Sequence, residues 1–461
     1  MHQRNNDWGH LISKDFVHWR RLPDAVLSGS WDGSLTILKN EHGSMEPIIL
    51  FDCTSLKNCL PPGASTTVLE DTFGSGDPPI IGVARPSNIS DPNLTVWRKD
   101  DTNPAVFSGA PSTYSGPSNI WRNGDKFQME MILGGATGLF ETKDWQLHNW
   151  SLVNASFYPI RGGGGGQFFP LQTETGAPSG RYTHMLQADF PGKRDGEARF
   201  VLGTFDAVSS TFLPGPTNVA IDVSGNLVFS LVNVIPGEVS GMPKRMVHMG
   251  WVPAAKSLSI PRRITYLPES HQLLSAPVRE LLTLRGAVLA SHAVHVSPGK
   301  PFEVLAPGSQ APSYDLTVDF ALPVSGAEPF AARVALLAAG PDPATDETAF
   351  LLSIQASGAD PSTRTRNFTV ARCGCNGHDC CADSHQLIDP FTFTMPDVSQ
   401  VVDLRALVDV NIVEVFVASG RYVYTTAVNS ASGGIFVNAP MSTQSIQINA
   451  TVYSMACGWT V

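Results

Sequence analysis

The chain has 461 residues, of which 16% are charged, with a net charge of −10, 41 glycines and 35 prolines. That length accommodates two or three cores, and the scarcity of charge beside so much Gly and Pro favours turn-rich β structure over helix. No cluster of Lys and Arg exists to form a nucleic-acid footprint or to meet an anionic membrane surface, and no apolar run approaches the ~20 residues of a bilayer span.

In chain order, Met1–Asp7 is polar and lacks the pattern of a secretory leader. Ser34 to Asn40 alternates apolar and polar residues, His42-Gly43-Ser44 turns the chain, and Pro47 to Phe51 returns as an apolar strand, which predicts a hairpin. Cys53 and Cys59 are close enough to bridge a loop. Helical spacing is confined to Pro277–Leu284, where Val278, Leu281, Leu282 and Leu284 are apolar; this connector precedes a boundary placed between Arg285 and Val296. Cys373-x-Cys375-x4-Cys380-Cys381, with His378 and His385, admits a zinc site or disulfides in a surface loop. Adjacent cysteines suit one tetrahedral ion poorly, so disulfides, and with them an oxidising compartment, are the preferred reading; Cys457 belongs to the same terminal group. Val408 to Val417 predicts one strand, Ala418-Ser419-Gly420 a turn, and Tyr422 to Val428 its partner. Six sequons, at Asn88, Asn93, Asn149, Asn154, Asn367 and Asn449, are open to two readings, chance or glycosylation. Occupied sequons would place the protein outside the cell or in the vacuole, and would imply a start upstream of Met1. No motif repeats cleanly, but many short, evenly spaced strands suit a propeller or a sandwich.

An ordered series of motifs resembles glycoside hydrolase family 32, the invertases, inulinases and fructosyltransferases. It runs from Trp8-Gly9-His10 to Trp19 and Leu22-Pro23, through Trp31-Asp32-Gly33-Ser34, Ala84-Arg85-Pro86 and Ser90-Asp91-Pro92-Asn93-Leu94. It continues through Gly138 to Trp145, Val201 to Asp206, Arg245 to Trp251, Ile260 to Arg263 and Pro277 to Leu281, and ends in the hairpin Asp409 to Thr425. The resemblance implies an all-β fold: a five-bladed β-propeller at 1–285, its first strands missing, a linker at 286–295, and a β-sandwich at 296–461. It also implies hydrolysis or transfer of fructosyl units from sucrose and fructans at a pocket on the propeller axis, with no cofactor and no metal. Nothing in the chain sets an oligomeric state.

Retaining glycoside hydrolysis needs a nucleophilic carboxylate and a second carboxyl as acid and then base, roughly 5 Å apart. In the family a further aspartate, in an arginine-aspartate-proline motif, steadies the transition state. The nucleophile's motif belongs well ahead of Trp8, where only seven residues stand; Asp7 abuts the tryptophan, lacks the following proline and is out of place. Ser115-Gly116-Pro117 stands for the second motif, so Gly116 takes the aspartate's position. Counting back from Phe168-Phe169-Pro170 puts Gln167 at an aspartate and Gly164 at the acid/base glutamate, inside the run Gly162–Gly166. The nearby carboxylates Glu141, Asp144 and Glu174 are expected to be solvated turn or strand-edge residues. General acid/base assistance alone is worth about 10²–10⁴ in rate, and such groups act as a unit. The expectation is a catalytically dead relative that at most binds sugar, with Trp8, Trp31, Asp32 and Gln167 as substrate-binding candidates against bland roles in core, turn or strand support. Two alternatives stand beside it: an active β-fructofuranosidase from an incomplete gene product, and a structural or interaction protein with no sugar role.

Overall fold

The computed structural model describes residues 8–26, 29–64, 80–105, 107–108, 114–133, 136–159, 164–187, 198–220, 222–237, 244–309, 313–323, 328–340, 349–358, 360, 365–373, 387–396, 400–429, 433–440 and 444–456. The described structure is mostly antiparallel strand, with little helix. Asp7 and the cysteine cluster beyond Cys373 lie outside the described residues.

The predicted hairpin forms between strands Ser30–Lys39 and Met45–Cys53. Its turn is built by Asn40, whose side-chain oxygen accepts the amides of His42 and Ser44, and by Gly43 in the left-handed region at φ 83°. A residue with a Cβ rarely adopts that conformation. With Ile80–Pro86 and Trp97–Lys99 the hairpin makes a four-stranded sheet. It is one of five sheets arrayed along Trp8–Pro277. The others are a two-stranded sheet (Trp8–Ser13, Trp19–Val26), a five-stranded sheet centred on Lys126–Leu133 and Ala136–Thr142, a four-stranded sheet from Gly164–Gln172 to Thr211–Ala220, and a five-stranded sheet from Val228–Ile235 to Gln272–Pro277. These are the five blades of a propeller.

Among the described residues adjacent blades share no strand ladder, and side chains carry links between them. Ser34 Oγ donates to the carbonyl of Ser118 (2.6 Å), and Ile120 N–H donates to Thr36 Oγ1 (2.9 Å). The Asn119 amide pairs with both backbone groups of Phe168, at 2.8 and 2.9 Å. Val232 N–H donates to Gln167 Oε1 at 2.7 Å, and Val228–Ile235 comes back beside Ser30–Lys39. These polar links lie over cores shared between blades, such as Ile48, Leu50, Ile81 and Val83 against Phe127, Met129, Phe140 and Trp150. Burying a polar group between blades costs free energy unless it is paired, so the links set blade spacing as well as strength.

Beyond the propeller, two six-stranded sheets pack face to face around a single core that includes Tyr314, Leu316, Phe320, Val334, Phe368, Val415 and Ile448. Two expectations need correction. Residues 286–295 are not a linker: they lie in the strand Arg285–Val296, which pairs with Ile446–Met455 at the edge of one sandwich sheet. One face of this edge strand stays open to solvent, so its composition lacks a continuous apolar run. Val408–Val417 is not one strand either. Strands Val401–Asp409 and Ile412–Val417 pair with each other around Val410-Asn411, with Asp409 accepting the Val410 amide. The helical spacing at Pro277–Leu284 becomes a 3₁₀ segment, Arg279–Leu284, that buries Leu281 and Leu284.

Propeller and sandwich are joined by a buried charge network. Arg262 of the last blade pairs with Asp222 (3.0 Å) and with Glu414 of the sandwich, and donates to Thr425 Oγ1. Thr425 Oγ1 donates to Asp222 at 2.6 Å, and Ile260 N–H donates to Glu414 Oε1 at 2.7 Å. Every polar atom left dry by the domain contact is costly unless bonded, and this cluster bonds nearly all of its own.

Candidate functional site

Gly116 lies in the innermost segment of the third blade. Ser115 before it is bridged to Ile132, and Ser118 Oγ accepts the Glu130 amide (2.9 Å), so the segment is held from both sides. Gly116 is buried and left-handed, with φ 63°. Its N–H points at the carboxyl of Asp52, at the end of strand Met45–Cys53 in the preceding blade, 2.9 Å from Oδ2 and 3.3 Å from Oδ1. A carboxyl thus stands beside the backbone of the very position where the motif comparison finds an aspartate missing.

Burial raises the Asp52 carboxyl from the usual 3.8 to about 7, and the charge of Asp32 raises it too; the Gly116 amide works in the opposite direction. Tyr114 is pushed up to about 12, first by burial and then by Asp52. Asp32 is exposed on the neighbouring strand, where a bulge between Ser30 and Gly33 sets it against the end of Met45–Cys53. Trp8 Nε1 donates to the Trp31 carbonyl at 2.9 Å, and the Trp8 ring lies so close over Gly33 that a Cβ there would be 2.9 Å from it. The Trp31 side chain is 59% exposed, so it is no core residue. The structure therefore brings Trp8, Trp31, Asp32 and Gly116 to one corner of the propeller and adds Asp52 to it.

Gln167 is buried, with its side-chain oxygen committed to Val232 N–H. Gly164 opens its strand opposite Gln187. Two positions on, a Cβ at Gly166 would sit 2.4 Å from Glu130 Oε1 and 2.7 Å from His184 Nε2. Glu130 and His184 are fully buried and 2.6 Å apart. Glycine at 166 is thus demanded by a buried carboxyl–imidazole pair that fills the space of a side chain. Of the three flanking carboxylates, Glu141 binds Lys126 at 2.8 Å, Asp144 accepts the Gln146 amide at 2.9 Å, and Glu174 is exposed.

Sequence reasoning missed Asp52, Glu130 and His184. Asp52 closes an apolar run (Ile-Ile-Leu-Phe-Asp52) and Glu130 interrupts one (Met-Glu130-Met), which is the signal the sequence offers; His184 stands in a strand of mixed polarity that gives none. Cys53 and Cys59 form the expected disulfide, and Cys373 is also disulfide-bonded. No group of three or more His, Cys, Asp or Glu side chains placed to hold a metal occurs among the described residues.

Residues 280–454 match the family model described as Glycosyl hydrolases family 32 C terminal. The first domain repeats the propeller of solved family structures: fructan 1-exohydrolase IIa of Cichorium intybus superposes over 98% of this chain and 89% of its own, with TM-score 0.72 at 19% identity. Residues 280–454 thus match family 32 in sequence, and nearly the whole chain shares the fold of solved fructan- and inulin-cleaving relatives.

Exo-inulinase of Aspergillus awamori has the same fold, with TM-score 0.67 at 17% identity over 99% of this chain and 91% of that one. Among curated family 32 relatives, "Beta-fructofuranosidase, insoluble isoenzyme 1" of Oryza sativa subsp. japonica is 26% identical over 70% of this chain and 56% of its own length. "Beta-fructofuranosidase, insoluble isoenzyme CWINV3" of Arabidopsis thaliana is 24% identical over 91% of this chain and 76% of its own. The chain thus spans from about half to three quarters of the curated relatives' length. No described helix is long and apolar enough to cross a membrane.

Proposed function

We propose that this protein is a sugar-binding member of family 32 that recognises fructosyl units of sucrose or fructan and does not hydrolyse them. One observation carries the reading: the two matched acidic positions are Gly116 and Gly164, and the neighbourhood is built around glycine. Gly116 donates its amide to Asp52, and Gly166, beside Gly164, makes room for Glu130 and His184. Retaining hydrolysis needs two carboxyl groups roughly 5 Å apart across the scissile bond, and the loss of the acid/base alone costs about 10²–10⁴ in rate. For recognition, the exposed Trp31 ring offers an apolar face to sugar C–H groups, and Asp32 offers an acceptor to hydroxyls. A solved relative, a fructan 1-exohydrolase IIa of Cichorium intybus in which one glutamate is replaced by glutamine, is in complex with 1-kestose.

Support for a secreted or vacuolar setting comes from the Cys53–Cys59 disulfide, from exposed sequon asparagines at Asn88, Asn149, Asn367 and Asn449, and from a Zea mays relative named a cell wall isozyme. The test is paired. Calorimetric titration of the purified chain with sucrose, 1-kestose and inulin is expected to register binding, while the same preparation releases no fructose. Fructose release above a denatured control would overturn the non-hydrolytic half of the reading; silence with every sugar would overturn the other.

A further inference from the structure

We propose that Asp52 is the side chain through which this corner grips a fructosyl hydroxyl, doing from the second blade what position 116 of the third cannot. The inference rests on the sugar-binding reading and adds the residue that decides its affinity.

Three observations converge on Asp52. It sits at a strand end where two blades meet, and the Gly116 amide fixes its carboxyl at 2.9 Å while its side chain keeps partial access to solvent. Among the described residues no cation pairs with it: the charged group that acts on it is Asp32 from the adjoining strand, and Asp52 in turn acts on Tyr114 from the next blade. A carboxyl held by one amide retains lone pairs, and when protonated an O–H, for a ligand. Independently, the same corner carries the exposed Trp31 ring, the aromatic face that sugar sites use.

The charge state adds direction. Burial and the charge of Asp32 keep Asp52 protonated until about pH 7. Below that pH the corner presents a donor at Asp52 beside an acceptor at Asp32, a pairing that suits adjacent hydroxyls of a furanose. Above it, two neighbouring carboxylates repel, and the donor is gone.

The experiment titrates 1-kestose into the full chain at pH 5.5 and pH 8.5, for the wild type, Asp52→Asn and Asp52→Leu, with circular dichroism on each. The wild type is expected to lose about tenfold in affinity at the higher pH, the scale of one lost hydrogen bond to a charged or donor group. Asp52→Asn keeps both the acceptor for Gly116 and a donor for the sugar, so its affinity is expected to be flat across that range. Asp52→Leu is expected to bind at least about tenfold more weakly at pH 5.5. Undiminished binding by a folded Asp52→Leu overturns the proposal, as does an Asp52→Asn protein whose affinity still falls with pH; the sugar-binding reading survives both. Absence of binding by the wild type at either pH removes the reading itself.

Discussion

Replacing Asp52 by Asn should stabilise the protein at neutral and alkaline pH and leave it nearly unchanged in acid. The carboxyl is raised from 3.8 to about 7 in the folded chain. A group raised in this way holds its proton more tightly when folded, so its contribution is fully present below about pH 4 and is lost as pH rises through 7. At about 1.4 kcal/mol per pKa unit, a shift of that size corresponds to a ceiling of ~4 kcal/mol. Solvent reaching the open edge of the side chain lowers the expected figure to roughly 2–3 kcal/mol. Asn cannot ionise and still accepts the Gly116 amide, so this loss disappears in the variant. Urea unfolding at pH 4, 5.5, 7 and 8, followed by tryptophan fluorescence, measures the effect as the gap between wild-type and variant midpoints. The gap should open between pH 4 and 7 and then level off. A constant gap, or one that closes as pH rises, would refute the reasoning, because either would mean that Asp52 ionises at least as easily in the folded chain as in the unfolded one.

Three further changes probe the frame around the site. Gly166→Ala drives a Cβ to 2.4 Å from Glu130 Oε1 inside a dry pair, and should lower stability by about 1–3 kcal/mol in the same urea assay; an unchanged midpoint would mean the Glu130–His184 pair yields freely. Arg262→Met strips the cation from Asp222 and Glu414 at the domain contact. It should cost about 3–5 kcal/mol and expose the propeller–sandwich boundary to limited proteolysis, whereas a wild-type cleavage pattern would show that apolar packing alone holds the domains. Asn119→Ala removes both bonds to Phe168 between the third and fourth blades and leaves a buried amide and carbonyl unpaired; the expected loss is about 2–4 kcal/mol in the urea midpoint, and a loss under ~0.5 kcal/mol would assign blade spacing to the apolar core.

Local chemistry made some elements legible. Alternation at Ser34–Asn40 and the His42-Gly43-Ser44 turn predicted a hairpin that forms as expected, because a half-buried strand and a left-handed glycine are decided within a few residues. The boundary strand Arg285–Val296 was not legible, since an edge strand open on one face needs no continuous apolar run. Val410-Asn411 escaped notice for a related reason: a tight turn without Gly or Pro leaves little mark, and Asp409 closes it with a side-chain bond.

The sequence by itself carried the resemblance to family 32, the all-β architecture and the glycines at positions 116 and 164, because ordered motifs and residue identities are properties of the chain. Only the tertiary structure decided what stands in those places. Asp52 is 64 residues from Gly116 and in another blade, and Glu130 lies 54 residues from His184. Their meeting, their burial and the raised Asp52 pKa depend on how blades pack around an axis, which no local pattern encodes.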